Sequence, residues 1–310
     1  MALLVAAITR RQTMRKGLYR DLIMLCKPRI ILLLVITCAG AMGVATRGNT
    51  DLMSWSLAFY ACFGLAMSAS GANMVNMWYD RDIDKVMNRT KNRPLPSGRM
   101  NPATVLGLGI FLGVFSTAFL WFLVNPITAL MALSGYLFYV FIYTFWLKRR
   151  TVQNIVIGGA AGAFPPLVGW AAVRGDVMAL EPWLMFAIIF LWTPPHFWAL
   201  ALKKCGDYTK AGVPMMPVVK GEAETKSQIV YYMLILIPVT LLMAIGKSIG
   251  MLYLLTAFVL GAIWLKKAIV LMRSTKKVTP GQFDEAADVF RFSLYYLALL
   301  FGVMVLDTFL

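Results

Sequence analysis

The sequence is short of charge, nearly devoid of histidine and without a usable cysteine pattern. Of its 310 residues only 14% are Asp, Glu, Lys or Arg and one is His, whereas 60% are hydrophobic. A soluble domain carries closer to a quarter charged residues, so a water-soluble globular enzyme is excluded. The four cysteines, Cys26, Cys38, Cys62 and Cys205, form no CxxC pair, no heme-attachment CxxCH and no zinc spacing, and they read as small apolar or free thiol residues. Acidic groups are scarce as well: 14 Asp and Glu stand against 30 Lys and Arg, a formal net charge of +16. That excess is no sign of a nucleic acid partner, because no soluble basic face exists to present it. The opening MALLVAAIT is too short for a signal sequence and its basic residues follow the apolar run, which predicts no cleavage.

What the chain has is apolar length. Nine stretches can each cross about 30 Å of hydrocarbon: near 29–46, 53–77, 102–122, 126–147, 152–172, 181–202, 228–246, 249–271 and 289–309. The expected fold is all-α, a polytopic membrane protein with nine transmembrane helices. One set of connecting segments (1–29, 78–101, 148–151, 203–227 and 266–291) holds 27 of the 30 basic residues, and the other set holds Arg47, Arg174 and Lys247. The positive-inside rule then puts the amino terminus and the polar loops in the cytoplasm and the carboxyl terminus outside. Residues 1–28 read as a cytoplasmic amphiphilic segment and 29–310 as a single transmembrane domain. The basic run from Arg10 to Arg29 suits a helix lying along anionic lipid, or a plain topology anchor.

The most informative stretch is NMWYDRDIDKVMNRTKNR, residues 76–93. Asn76, Asp80 and Asp84 are spaced i, i+4, i+8 and share a face if the preceding helix continues through them. Two carboxylates and an amide oxygen are hard ligands suited to Mg²⁺, which substrate phosphates help to complete. Arg89 and Arg93 supply positive charge for a phosphate. A solvated mixed-charge loop is the bland alternative, disfavoured by this ordered spacing at a membrane boundary.

Upstream, Ser68, Ser70, Gly71 and Ala72 allow close backbone approach, and Asn73 is either a ligand or structural glue. Gly158, Gly159 and Gly162 suggest tight packing, and Pro165-Pro166 a kink. In the sixth span the sole histidine, His196, follows Pro194-Pro195, a pair expected to disrupt the backbone ladder where it lines a cavity. A lone histidine is otherwise a satisfied core residue. The polar loops after spans two and six lie four spans apart, which hints at a duplicated four-helix unit bringing both loops to one mouth.

A diphosphate held by Mg²⁺ and cations above a greasy cavity describes a polyprenyl diphosphate site. The run N76-xxx-D80-xxx-D84 followed by R89-T90-xx-R93-P94-L95 resembles the first aspartate-rich motif of the UbiA superfamily of intramembrane prenyltransferases, over nearly the full chain. Met77 stands where many members have Asp, so a ligand is lost there or supplied elsewhere, for instance by Asp82. The stretch TPPHFWALALKKCGDYTKAGVPMMPV replaces the second aspartate-rich cluster and resembles the heme O synthase branch. The resemblance implies nine helices around a central cavity in a bacterial inner membrane. It implies farnesyl diphosphate as donor, heme b as a substrate rather than a cofactor, Mg²⁺ as cofactor, and heme A synthase or a terminal oxidase as partners in the lipid bilayer. By the same resemblance Asn76, Asp80 and Asp84 bind Mg²⁺-diphosphate and Arg89 and Arg93 contact phosphate oxygens, with Lys148, Arg149, Lys203 and Asp207 as weaker candidates for the same mouth. His196 would orient heme through iron or a propionate, or act as a base. A quinone-precursor prenyltransferase should show the missing second cluster, and a transporter of an anionic amphiphile has no need of Mg²⁺ ligands at a cytoplasmic mouth. The charge distribution predicts that a reporter active only in the cytoplasm stays silent when fused after Leu310 and is active when fused after Arg99; the reverse pattern would overturn the orientation.

Overall fold

A computed structural model describes residues 17–245, 249–276, 278 and 284–310, and among these the chain is helical with no strand. In chain order the helices are α1 (17–26), α2 (Pro28–Thr46), α3 (Trp55–Tyr79), α4 (Arg81–Val86), α5 (Pro102–Leu123) and α6 (Pro126–Leu137), which runs on as a π-helix (Phe138–Leu147). Then follow α7 (Asn154–Gly158), α8 (Ala160–Arg174), α9 (Leu180–Lys203), α10 (Cys205–Lys210), α11 (Met216–Val219), α12 (Gly221–Leu242), α13 (Met251–Arg273) and α14 (Glu285–Thr308). Among the described residues nine helical spans are long and apolar enough to cross a membrane, at the positions the sequence predicts. The protein is a polytopic membrane protein.

Each span packs on the next, from α2 through α3, α5, α6, α8, α9, α12 and α13 to α14, and α14 packs back on α2 to close the ring. The α7–α8 span is the most buried of the nine and touches α2, α3, α6 and α9. The loops sort to two ends. At one end the ion pair of Lys148 with Asp80, the Asn88–Asp207 hydrogen bond at 3.3 Å and the Asn154 amide bonded to Pro214 O at 3.3 Å tie three connections together. At the other, Arg47 pairs with Glu181 at 3.0 Å and the Asn125 amide donates to Ala171 O at 2.9 Å. The loops after the second and sixth spans therefore meet at one mouth, as expected.

Helix ends follow local chemistry more than hydropathy. Span seven starts at Gly221 rather than near 228, because Glu222 and Glu224 favour the positive N-terminus of α12. Span nine starts at Glu285, where the Asp284 carboxylate accepts from Ala287 N at 2.9 Å. The prolines do less than the sequence suggests: Pro194-Pro195 and Pro165-Pro166 sit inside continuous helices, and the α7–α8 break falls at Gly159 instead. Of the basic amino-terminal run, residues 10–16 lie outside the described residues. Its described part, α1, is anchored on the bundle: Leu25 packs with Met74, Met77, Leu95 and Val105, and buried Asp21 accepts from Arg99 at 2.9–3.1 Å.

Close approach of α3 to α5 needs the small residues seen in the sequence. A Cβ at Gly71 would stand 2.7 Å from Gly109 O, a backbone atom that cannot swing aside. Gly71→Val is expected to lower stability by about 1–3 kcal/mol through overpacking, read as a lower thermal midpoint in detergent; an unchanged midpoint would show that the α3–α5 contact is not tight.

Candidate functional site

Helix α3 carries Asn76 into the mouth and continues one turn beyond, because Asp80 N bonds Asn76 O at 2.9 Å and Asp84 N bonds Asp80 O at 2.8 Å. The i, i+4, i+8 register thus survives the α3–α4 junction, and all three side chains are buried, Asp80 completely. Two carboxylates at this depth need counter-charge, since an unpaired buried ion costs several kcal/mol. The counter-charge comes from remote elements. Lys148 donates to Asp80 Oδ2, Arg149 Nη2 reaches Asp80 Oδ1 at 3.4 Å, and Arg93 Nη1 donates to Asp84 Oδ2 at 2.7 Å. Asn76 Nδ2 donates to Asp80 Oδ2 at 2.8 Å and to Thr144 Oγ1 at 3.2 Å.

The π-helix is what aims Lys148. Its i→i+5 bonding, ending in Lys148 N to Tyr143 O at 2.9 Å, brings Tyr139, Thr144 and Lys148 toward α3, and π segments recur at functional sites. The widened turn leaves room for the stacked Tyr139 and Tyr143 rings, 5.3 Å apart, and a Cβ at Gly158 would collide with the Tyr143 ring.

A further cation escapes the sequence reading. Lys27 sits at the α1–α2 corner with φ 54, an uncommon conformation for a residue with a side chain, and its Nζ donates to Asn76 Oδ1 at 3.1 Å and lies 3.5 Å from Tyr139 OH. Burial, then the charges of Arg93 and Lys148, hold its ammonium well below the usual lysine range, against the pull of Asp80 and Asp84. An arriving anion would relieve that repulsion. In the sequence Lys27 is one of seven basic residues before the first span, which hides it.

The remaining candidates divide. Arg89 is exposed, with its charge acting on buried Tyr208. Asp207 reaches the mouth through Asn88. Asn73 lines the cavity below and bonds Cys26 O at 3.2 Å, which pins the α1–α2 corner. Asp82 is exposed and held by both Arg149 Nη atoms at 2.7 Å, its carboxyl lowered to about 2 chiefly by that hydrogen bond. It lies outside the buried pair, and Met77 packs with Leu25 and Leu95, away from the carboxylates. Lys203 pairs with Asp284, the N-cap of α14, at 3.1 Å. His196 does not line the cavity; its neighbours Thr193 and Phe197 do.

Beneath the mouth lies a cavity of about 280 Å³ walled by α2, α3, the α6–π span, α7, α8 and α9. Its walls include Leu34, Leu65, Ala72, Ile155 and Phe164, and Asn73, Tyr139 and Tyr143 stand between it and the charges above. Among the described residues no three His, Cys, Asp or Glu side chains cluster for a metal. Two carboxylates and an amide oxygen remain, a donor set that fits Mg²⁺, which takes few protein ligands and completes its shell from phosphates and water. Arg149 Nε is buried with no acceptor among the described residues. The arrangement can hold a polyanion at the rim and a hydrocarbon below.

Residues 33–302 match the model of the UbiA prenyltransferase family. A protoheme IX farnesyltransferase of Symbiobacterium thermophilum is 51% identical over 290 residues, 93% of this chain and 94% of that protein, and one of Synechocystis sp. is 49% identical over 92% and 87%. The fold is similar to that of a digeranylgeranylglyceryl phosphate synthase structure (TM-score 0.74, 15% identity, 94% and 98% covered). It is also similar to a UbiA homolog from Archaeoglobus fulgidus bound to DMAPP and Mg²⁺ (TM-score 0.65, 16% identity, 93% and 99% covered). With the aspartate register, the cationic rim and the cavity in place, the match over most of its length shows that this chain belongs to the UbiA prenyltransferase family, in the branch of the protoheme IX farnesyltransferases.

Proposed function

We propose that the chain transfers the farnesyl group of farnesyl diphosphate to a vinyl group of heme b, giving heme O and diphosphate. The observation that carries this is the buried Asp80–Asp84 pair, ringed by Lys27, Arg93, Lys148 and Arg149 at the mouth of an apolar cavity, in a chain about half identical to protoheme IX farnesyltransferases. Asn76, Asp80 and Asp84 are the residues that would hold Mg²⁺, which supplies charge neutralisation on the departing diphosphate.

The chain's own residues do the rest. Lys27, Arg93, Lys148 and Arg149 bind diphosphate oxygens and stabilise the charge that grows there as the allylic carbon–oxygen bond breaks. The aliphatic and aromatic walls hold the farnesyl chain and keep water from the allylic cation. The vinyl group attacks the freed carbon, water adds to the vinyl carbon left electron-poor, and a proton departs, leaving a hydroxyethylfarnesyl group. In this reading the protein lies in a bacterial inner membrane with the mouth on the cytoplasmic side, and heme A synthase or a terminal oxidase takes its product.

Purified protein with heme b, farnesyl diphosphate and Mg²⁺ should form farnesylated heme, detected by mass; product with 4-hydroxybenzoate in its place would favour a quinone-precursor enzyme. Asp80→Asn should abolish turnover. Lys27→Met should raise the KM for farnesyl diphosphate about tenfold, the value of one charged hydrogen bond, with the KM for heme unchanged.

A further inference from the structure

His196 is the one ionisable side chain of α9's membrane-depth portion, and the diphosphate site does not use it. Its ring is clamped between Trp192 and Phe290, with centroids at 4.1 and 4.8 Å. Its Nδ1 lies 2.6 Å from Ser293 Oγ on α14, and Ser293 Oγ also lies 2.6 Å from Phe290 O. Ser293 is completely buried and its carbonyl accepts from Trp192 Nε1 at 2.9 Å, so the serine is fixed on two sides.

The hydroxyl has one proton, and a carbonyl cannot donate. If that proton went to Nδ1, two oxygens would face each other at 2.6 Å with nothing between them. Both contacts are satisfied in one arrangement: Nδ1–H donates to Ser293 Oγ, and Ser293 O–H donates to Phe290 O. The lone pair is then on Nε2, which makes no hydrogen bond among the described residues and is not sealed in the packing. A neutral imidazole with Nδ1–H held by an acceptor and Nε2 open is how a histidine is prepared for a metal. Phe197, next to His196, lines the cavity, and residues 28–36 of α2 are not buried.

We infer that His196 Nε2 is the axial ligand that orients the iron of the acceptor heme, and that Ser293 is a positioning residue that fixes its tautomer. The inference rests on heme b being the acceptor. Iron coordination sets the macrocycle against α9, and the ring clamp prevents the imidazole from turning Nδ1 outward.

The test uses full-length protein in lipid nanodiscs with reduced heme b. Wild type should show a resonance Raman iron–imidazole stretch that His196→Ala removes. Ser293→Ala should lower that frequency and raise the KM for heme about tenfold, the usual cost of losing a partner behind a metal ligand, with the KM for farnesyl diphosphate unchanged; Ser293→Thr should restore both. A band that survives His196→Ala, or wild-type turnover of heme with no such band, overturns the ligand assignment while leaving the farnesyl transfer intact. An unaltered stretch and KM in Ser293→Ala overturns the positioning role. Failure of wild type to farnesylate heme at all would instead sink the proposed function.

Discussion

Burying two carboxylates at the end of a membrane helix is the constraint on which this structure depends. Asp80 and Asp84 are buried, and the cost of placing carboxylates there is offset by the cations brought to them. Those cations come from the loop after α4 and the end of the π-helix, and a third, Lys27 of the α1–α2 corner, bonds Asn76 beside them. Loop positions across the whole mouth are therefore coupled to one electrostatic need. The rim ends with more positive than negative groups, a surplus that suits an anion.

The same need accounts for two irregularities in the backbone. A regular α-helix through residues 138–147 would present its side chains at i, i+4 spacing, whereas the i→i+5 ladder brings Tyr139, Thr144 and Lys148 to α3 together. The left-handed turn at Lys27 bends the chain sharply enough to drop that side chain behind Asn76. Both deviations carry a local cost, recovered through ion pairs and hydrogen bonds that a straight chain could not make. Below them Gly158 of α7 leaves space for the Tyr143 ring, and Tyr139 and Tyr143 line the cavity at its boundary with the polar rim.

Much of this was legible in the residues. Nine apolar stretches located nine spans because a bilayer demands about 20 apolar residues per helix and leaves a plain record of it. The i, i+4, i+8 spacing located Asn76, Asp80 and Asp84 because one helix carries them. Lys148, Arg149 and Asp207 were weaker candidates for the mouth that the family resemblance implied. Less legible were Lys203, which turns to the N-cap of α14, and Asp82, which the sequence offers as a substitute ligand and which is held outside the buried pair by Arg149. Both depend on which face of a helix end meets which neighbour.

By itself, then, the sequence determined what is local or periodic: the number of spans, the shared face of Asn76, Asp80 and Asp84, the charge asymmetry of the loops, and a motif whose spacing needs one helix. Tertiary structure decided what joins residues far apart in the chain. It brought Lys27 to Asn76, it opened the π-helix, it kept the proline pairs within continuous helices, and it joined His196 to Ser293 across 97 positions. The physical reason is that periodicity fixes direction along one helix, whereas the partner of a buried charge or ring nitrogen is set by how separate helices pack, and packing has no record in local spacing.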